Sequence, residues 1–171
     1  MLDDPRALST LDVHLANAAP ALGLGPEPSD PALTAVTLHE AFAKRRGPIK
    51  PVLLDQRVIA GLGNIYAAES LWRARISPFA PCNALRRPQI TKLRKAIDAV
   101  LVRATGSRYT DDDTVTLDVY DREGLPCRRC GTTIERAVQA GRSTYYCPQC
   151  QPAAAPKAVS ATKGKRPRPA R

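Results

Sequence analysis

Apolar residues return at helical spacing through the middle of the chain. Leu33, Val36, Leu38, Ala41 and Phe42 make the first stripe. Asp30 followed by Pro31 offers an N-cap with proline at the first helical position, and the stripe runs out at Lys44-Arg-Arg-Gly47, where cations suit a helix C-terminus. Pro48-Ile-Lys-Pro-Val-Leu-Leu begins a second, short helix. A third, capped by Asn64, carries Ile65, Ala68, Leu71 and Trp72 and breaks before Ser77-Pro78. The fourth opens at Pro88, with Ile90, Leu93, Ile97, Val100 and Leu101 inward and Lys92, Arg94, Lys95 and Arg103 outward. Beyond it the period changes. Asp111-Asp-Asp113 reads as a turn, and Thr114 to Tyr120 alternates as a strand or extended link. Thr132-Thr-Ile and Ser143-Thr-Tyr-Tyr, with Gly141 between, fit two short strands and a turn. Upstream of the helices, Leu11-Asp-Val-His-Leu alternates like a strand and Leu22 to Pro28 reads as a loop. The fold class is α+β: a mainly helical domain, then a β-hairpin, then a tail.

The cysteines explain how so small a hairpin holds together. Cys127-Arg-Arg-Cys130 and Cys147-Pro-Gln-Cys150 are two Cys-x-x-Cys pairs sixteen residues apart, the spacing of a structural zinc site. Each pair turns two thiolates toward one point, and the points meet at a tetrahedral Zn²⁺ with no position left open. Gly131 follows the first pair, where a tight knuckle favours a residue tolerant of positive φ. The metal supplies folding free energy of about 10–16 kcal/mol in comparable peptides. The alternative is a pair of disulfides in a secreted chain, which would leave Cys82 odd. The organisation is therefore residues 1–30, a linker; 31–110, the helical domain; 111–151, the link and finger; and 152–171, a basic tail.

Net charge is +10 in 171 residues, which points to a polyanionic partner, most simply nucleic acid. Six of the cations lie after Pro152 with no acid among them, in a Pro/Ala/Lys tail that reads as disordered. This tail either adds salt-sensitive attraction to phosphates or only solubilises the chain. No apolar run approaches the length of a membrane span.

Candidate chemistry sits at Ala60-Gly-Leu-Gly63. Two glycines flanking Leu62 let the backbone turn sharply and expose amide N–H groups where the third helix begins, with Asn64 adding a side-chain donor. Such a turn fixes a phosphate without reading a base, or is a plain inter-helix turn. The run from Ile49 to Pro78 closely resembles the helix–two-turn–helix domain of formamidopyrimidine-DNA glycosylase, the bacterial repair enzyme for oxidised purines. Val119-Tyr-Asp-Arg-Glu-Gly-Leu-Pro-Cys and the four-cysteine finger resemble that family's C-terminal zinc hairpin, in the same order. The resemblance covers residues 26–151 and implies roles. Lys50 would meet a DNA phosphate near the lesion, and Asn64, beside Gly63, would bind a phosphate at the turn. Tyr120 would touch the backbone ahead of the finger, and Arg142 would grip phosphates around the extruded nucleotide. An arginine at a hairpin tip also suits a bidentate phosphate contact. Tyr66 and Glu69 read as supports of the turn, and Trp72 as core.

The departures bear on activity. The family's nucleophile resembles an N-terminal proline amine beside a glutamate, whereas this sequence starts Met1-Leu2-Asp3 and has no Pro-Glu-Leu-Pro-Glu motif. Residues 1–30 then read as the remnant of a catalytic domain. Asp4-Pro5-Arg6 resembles that domain's last loop, with Arg6 filling the gap left by a flipped base and Leu8 in place of a phenylalanine. The stretch between Leu101 and Val115 is shorter than the family's base-capping insertion, and Asp121 replaces a usual glycine. The expectation is the DNA-binding part of a bifunctional glycosylase and lyase, a monomer with one structural zinc. It would bind damaged or abasic-site duplex DNA without cutting it, at the nucleoid in the cytoplasm. The alternatives are a stand-alone, non-enzymatic DNA-binding module and an RNA binder.

Overall fold

The computed structural model describes residues 23–106 and 116–152. Arg6, the strand-like Leu11 segment, the Asp111–Asp113 turn and the tail after Pro152 lie outside the described residues. The elements are α1 (Ala35–Ala43), α2 (Ile49–Leu53), α3 (Asn64–Ala74), a 3-10 turn (Cys82–Ala84), α4 (Arg87–Gly106), β1 (Glu135–Gln139) and β2 (Arg142–Tyr146). The four predicted helices are present, with different starts. Asp30 does not cap α1. Its Oδ1 accepts from the Ala32 amide at 2.7 Å and holds a preceding turn. Thr34 is the cap, because Thr34 and Thr37 exchange side-chain and backbone bonds in a reciprocal box that Asp30, with the apolar Leu33 three residues on, cannot form. Gly63 rather than Asn64 caps α3, so Asn64 is the first helical residue and its side chain is free to reach elsewhere.

The β-structure departs further. Residues 116–120 form the link and not a strand, because the amides of Asp118, Val119 and Tyr120 are taken by a side chain. The buried carboxylate of Glu69 accepts from the N–H groups of Asp118, Val119 and Tyr120 at 2.8–3.1 Å. The first finger strand lies later than Thr132-Thr-Ile, since that stretch closes the zinc knuckle. The Cys127 amide donates to Thr132 O at 2.8 Å, and Thr133 makes only an isolated bridge to Pro126. β1 and β2 pair antiparallel, from Glu135 opposite Tyr146 to Gln139 opposite Arg142, leaving Ala140-Gly141 as a two-residue turn.

Two buried clusters hold these elements. The larger joins α1, α2, α3 and α4 through Leu38, Phe42, Ile49, Leu71, Ile90 and Leu93. The smaller joins α3 to the finger through Ala68, Trp72, Val119, Ile134 and Tyr145. Helix α3 is therefore apolar on two faces, one for each cluster. Two residues of the predicted stripes are exposed: Val36 is 54% exposed and Ile65 38%, each in the first turn of its helix. Cys82 is buried in the larger cluster, and its thiol donates to Arg45 O at 2.8 Å.

Candidate nucleic-acid interface

The four finger cysteines converge. Their Sγ atoms all lie within 4.8 Å of one another, with Cys130 and Cys147 at 3.5 Å. Four sulfurs at about 2.3 Å from one tetrahedral zinc would stand about 3.8 Å apart, so the donor set fits one structural Zn²⁺. All are free thiols, which sets the disulfide alternative aside. Hydrogen bonding from Thr132 pulls the Cys130 thiol down to about 6, while burial pushes Cys147 up to about 12. The Trp72 indole N–H donates to Cys127 Sγ at 3.4 Å, and the guanidinium of Arg129 covers the indole at 3.9 Å. Trp72 is core, as its spacing predicts, but it also orients a metal ligand; a side chain 55 residues from its partner leaves no local signal of that.

The predicted phosphate ligands gather around one backbone atom. Lys50 Nζ donates to the Ser143 carbonyl at 2.8 Å and to Thr144 Oγ1 at 2.8 Å. Asn64 Nδ2 donates to the same carbonyl at 3.1 Å. The residue before Ser143 is Arg142, whose exposed side chain has no hydrogen bond or ion pair among the described residues. Lys50 is 0% exposed, so its ammonium clamps the hairpin onto α2 instead of standing in solvent. Burial first, and then the Arg142 charge, lowers its pKa to about 8. Asn64 Oδ1 is buried and has no donor among the described residues. The hairpin is tied down further by residues that the sequence did not single out. Thr144 Oγ1 donates to Gln139 Oε1 at 3.1 Å, and Gln139 Nε2 to Pro78 O at 3.3 Å.

The glycine turn divides its two glycines. Gly61 has φ +76° and needs to be glycine, whereas Gly63 is extended, with φ −87°. A Cβ on Gly63 would meet nothing within 4 Å, so the protein itself does not require glycine there; its absence of side chain leaves the start of α3 bare. Tyr120 packs edge-on against Tyr145, ring centroids 5.0 Å apart. Asp121, next to it, has φ +57°, a left-handed conformation that favours glycine, and its Oδ1 accepts from the Tyr145 hydroxyl at 3.1 Å. Asn64 and Arg142 thus meet at the hairpin tip with Lys50 buried beneath it, Tyr120 and Asp121 stand on the link beside Tyr145, and Arg6 lies outside the described residues.

Residues 24–114, more than half of the chain, match the formamidopyrimidine-DNA glycosylase H2TH domain, and residues 124–153 match a zinc finger found in FPG and IleRS. The chain belongs to the formamidopyrimidine-DNA glycosylase family. Formamidopyrimidine-DNA glycosylases of Phenylobacterium zucineum and Allorhizobium ampelinum are 48% and 42% identical over 157 and 173 residues, 84% and 87% of this chain but 53% and 58% of theirs. The crystal structure of the family's protein from Thermus thermophilus superposes with a TM-score of 0.70 at 40% identity, covering 78% of this chain and 56% of that one. That of the Lactococcus lactis glycosylase, noncovalently bound to DNA containing an AP site, gives 0.71 at 38%, covering 76% and 50%. The chain spans little more than half the length of the formamidopyrimidine-DNA glycosylases it matches. Among the described residues no helix is long and apolar enough to cross a membrane.

Proposed function

We propose that this chain supplies the duplex-DNA grip of a formamidopyrimidine-DNA glycosylase that removes oxidised purines at the nucleoid. In this reading residues 31–110 and 111–151 act as one clamp. Arg142 and Asn64 hold phosphates of the damaged strand, and Gly63 leaves room for the backbone to approach. Tyr120 and, from the N-terminal segment, Arg6 complete the contact. Lys50 contributes charge from beneath and fixes the tip. The observation that carries the reading is the shared Ser143 carbonyl, which locks the helix turn and the hairpin tip into one rigid surface beside an unpaired arginine. Solved relatives bound to abasic-site and FAPY-dG DNA support duplex DNA as the ligand class.

Binding of the 171-residue chain to an abasic-site duplex, measured by anisotropy across a salt series, tests this. Arg142→Ala is expected to weaken binding to every duplex alike and to flatten the dependence of log K on log salt by about one unit. Weakening confined to one base sequence, or an unchanged salt slope, would remove Arg142 from the phosphate contact.

A further inference from the structure

A second basic surface lies at the other end of α3. A cleft of about 840 Å³ opens between the C-terminal turn of α3, the outer side of α4 and the first zinc knuckle. Arg75, Lys92, Lys95 and Arg129 line it. The only carboxylate in its wall among the described residues, Asp118, is already shared by Arg73 at 3.6 Å and Arg103 at 3.0 Å. Arg75, Lys92 and Lys95 are exposed, and their side chains have no ion-pair or hydrogen-bond partner among the described residues. Arg129 is held in place by its stack on Trp72 and by an N–H bond to Trp72 O at 3.0 Å. A smaller cleft of about 450 Å³ shares Arg75 and Arg129 and continues to Cys150 and Pro152. The floor between the cations is apolar, formed by Ile76, Ala96 and Ala99.

We propose that this cleft docks a short acidic segment of a partner protein, its carboxylates on the lysine and arginine rim and one apolar side chain on the Ile76–Ala96 floor. Charge complementarity selects an anion, and the volume lies in the range of a ligand cleft. A single nucleic-acid strand meets the charge but not the surface. Strand binding uses open aromatic faces for stacking, and the one aromatic residue in the wall, Trp72, is 6% exposed and covered by Arg129. Arg75 and Asn64 are eleven residues apart along α3, about 16 Å, so the cleft and the hairpin tip can be occupied together. The inference does not depend on the DNA reading.

The test uses the full chain and a fluorescein-labelled octapeptide of aspartates and glutamates around a central Leu-Phe pair, followed by anisotropy. Saturable binding is expected, weakened about tenfold by Lys92→Glu with Lys95→Glu, the size of reversing two exposed charge contacts. Replacing Leu-Phe by Ser-Ser in the peptide should weaken it as well, whereas Arg142→Ala and saturating abasic-site duplex should leave it unchanged. Should the double variant fail to fold, Ala99→Glu places a carboxylate in the cleft from an exposed helical position. The proposal is overturned if the peptide does not bind, or if neither cleft variant matters, which would assign binding to the basic tail. It is also overturned if an unlabelled single-stranded octanucleotide displaces the peptide better than unlabelled peptide does.

Discussion

Lys50 shows how position changes what a lysine contributes. The family resemblance implies a phosphate ligand at Lys50, and the folded chain buries its ammonium under the hairpin on Ser143 O and Thr144 Oγ1. Nothing local announces this, because the two acceptors lie 93 and 94 residues downstream. A cation with a pKa near 8 gives a pH signature. Phosphate nearby favours the protonated form, so affinity for an abasic-site duplex is expected to fall as pH rises from about 7 to about 9, by at most about tenfold per pH unit above the pKa. Stability moves the other way. The folded pKa of about 8 lies below the ordinary lysine value of 10.5, so between the two the unfolded chain binds more protons and stability climbs with pH. Lys50→Met should flatten both profiles at constant ionic strength. Parallel profiles for the two proteins would exclude Lys50 as their origin.

At the scale of elements, the hairpin turn holds an unrelieved strain. Ala140 and Gly141 both have positive φ, +47° and +72°, as a primed two-residue turn requires, and only the second is glycine. Ala140→Asn creates the Asn-Gly pair that such turns prefer and is expected to stabilise the zinc-bound chain by about 1 kcal/mol in urea unfolding. A lower or unchanged midpoint would mean that the turn is not strained. The helices were legible because a 3.6-residue apolar stripe is local information, and so were the four zinc ligands, whose spacing is itself the signal. The link at 116–120 was legible only as one of two readings, strand or extended link. Its alternation fits a strand, but its amides belong to Glu69, and a carboxylate buried in a helix leaves no periodic trace. Capping failed for a similar reason: Asp30 and Thr34 both qualify by type, and only the reciprocal bond from Thr37 decides between them.

At the scale of the molecule, α3 is the spine. Leu71 faces the helical cluster while Ala68 and Trp72 face the finger, so the boundary that charge and cysteine spacing suggest near residue 110 crosses a shared core. Trp72, the only tryptophan, reports on that junction. Stripping zinc with a chelator should redden its emission as Cys127 and Tyr145 loosen, while the helical signal in circular dichroism stays largely in place. DNA affinity should drop at the same time, since the hairpin then loses its hold on Lys50. Unchanged emission after verified metal loss would show that the finger keeps its packing without the ion.

The carbonyl of Ser143 has one more implication. Because two side chains grasp a main-chain oxygen, the identity of residue 143 is nearly irrelevant to the clasp, and alanine there would report only the lost bonds from Arg136 to the Ser143 hydroxyl. The lock is written into the polypeptide itself, so it outlasts any substitution at this position that keeps the strand on its path.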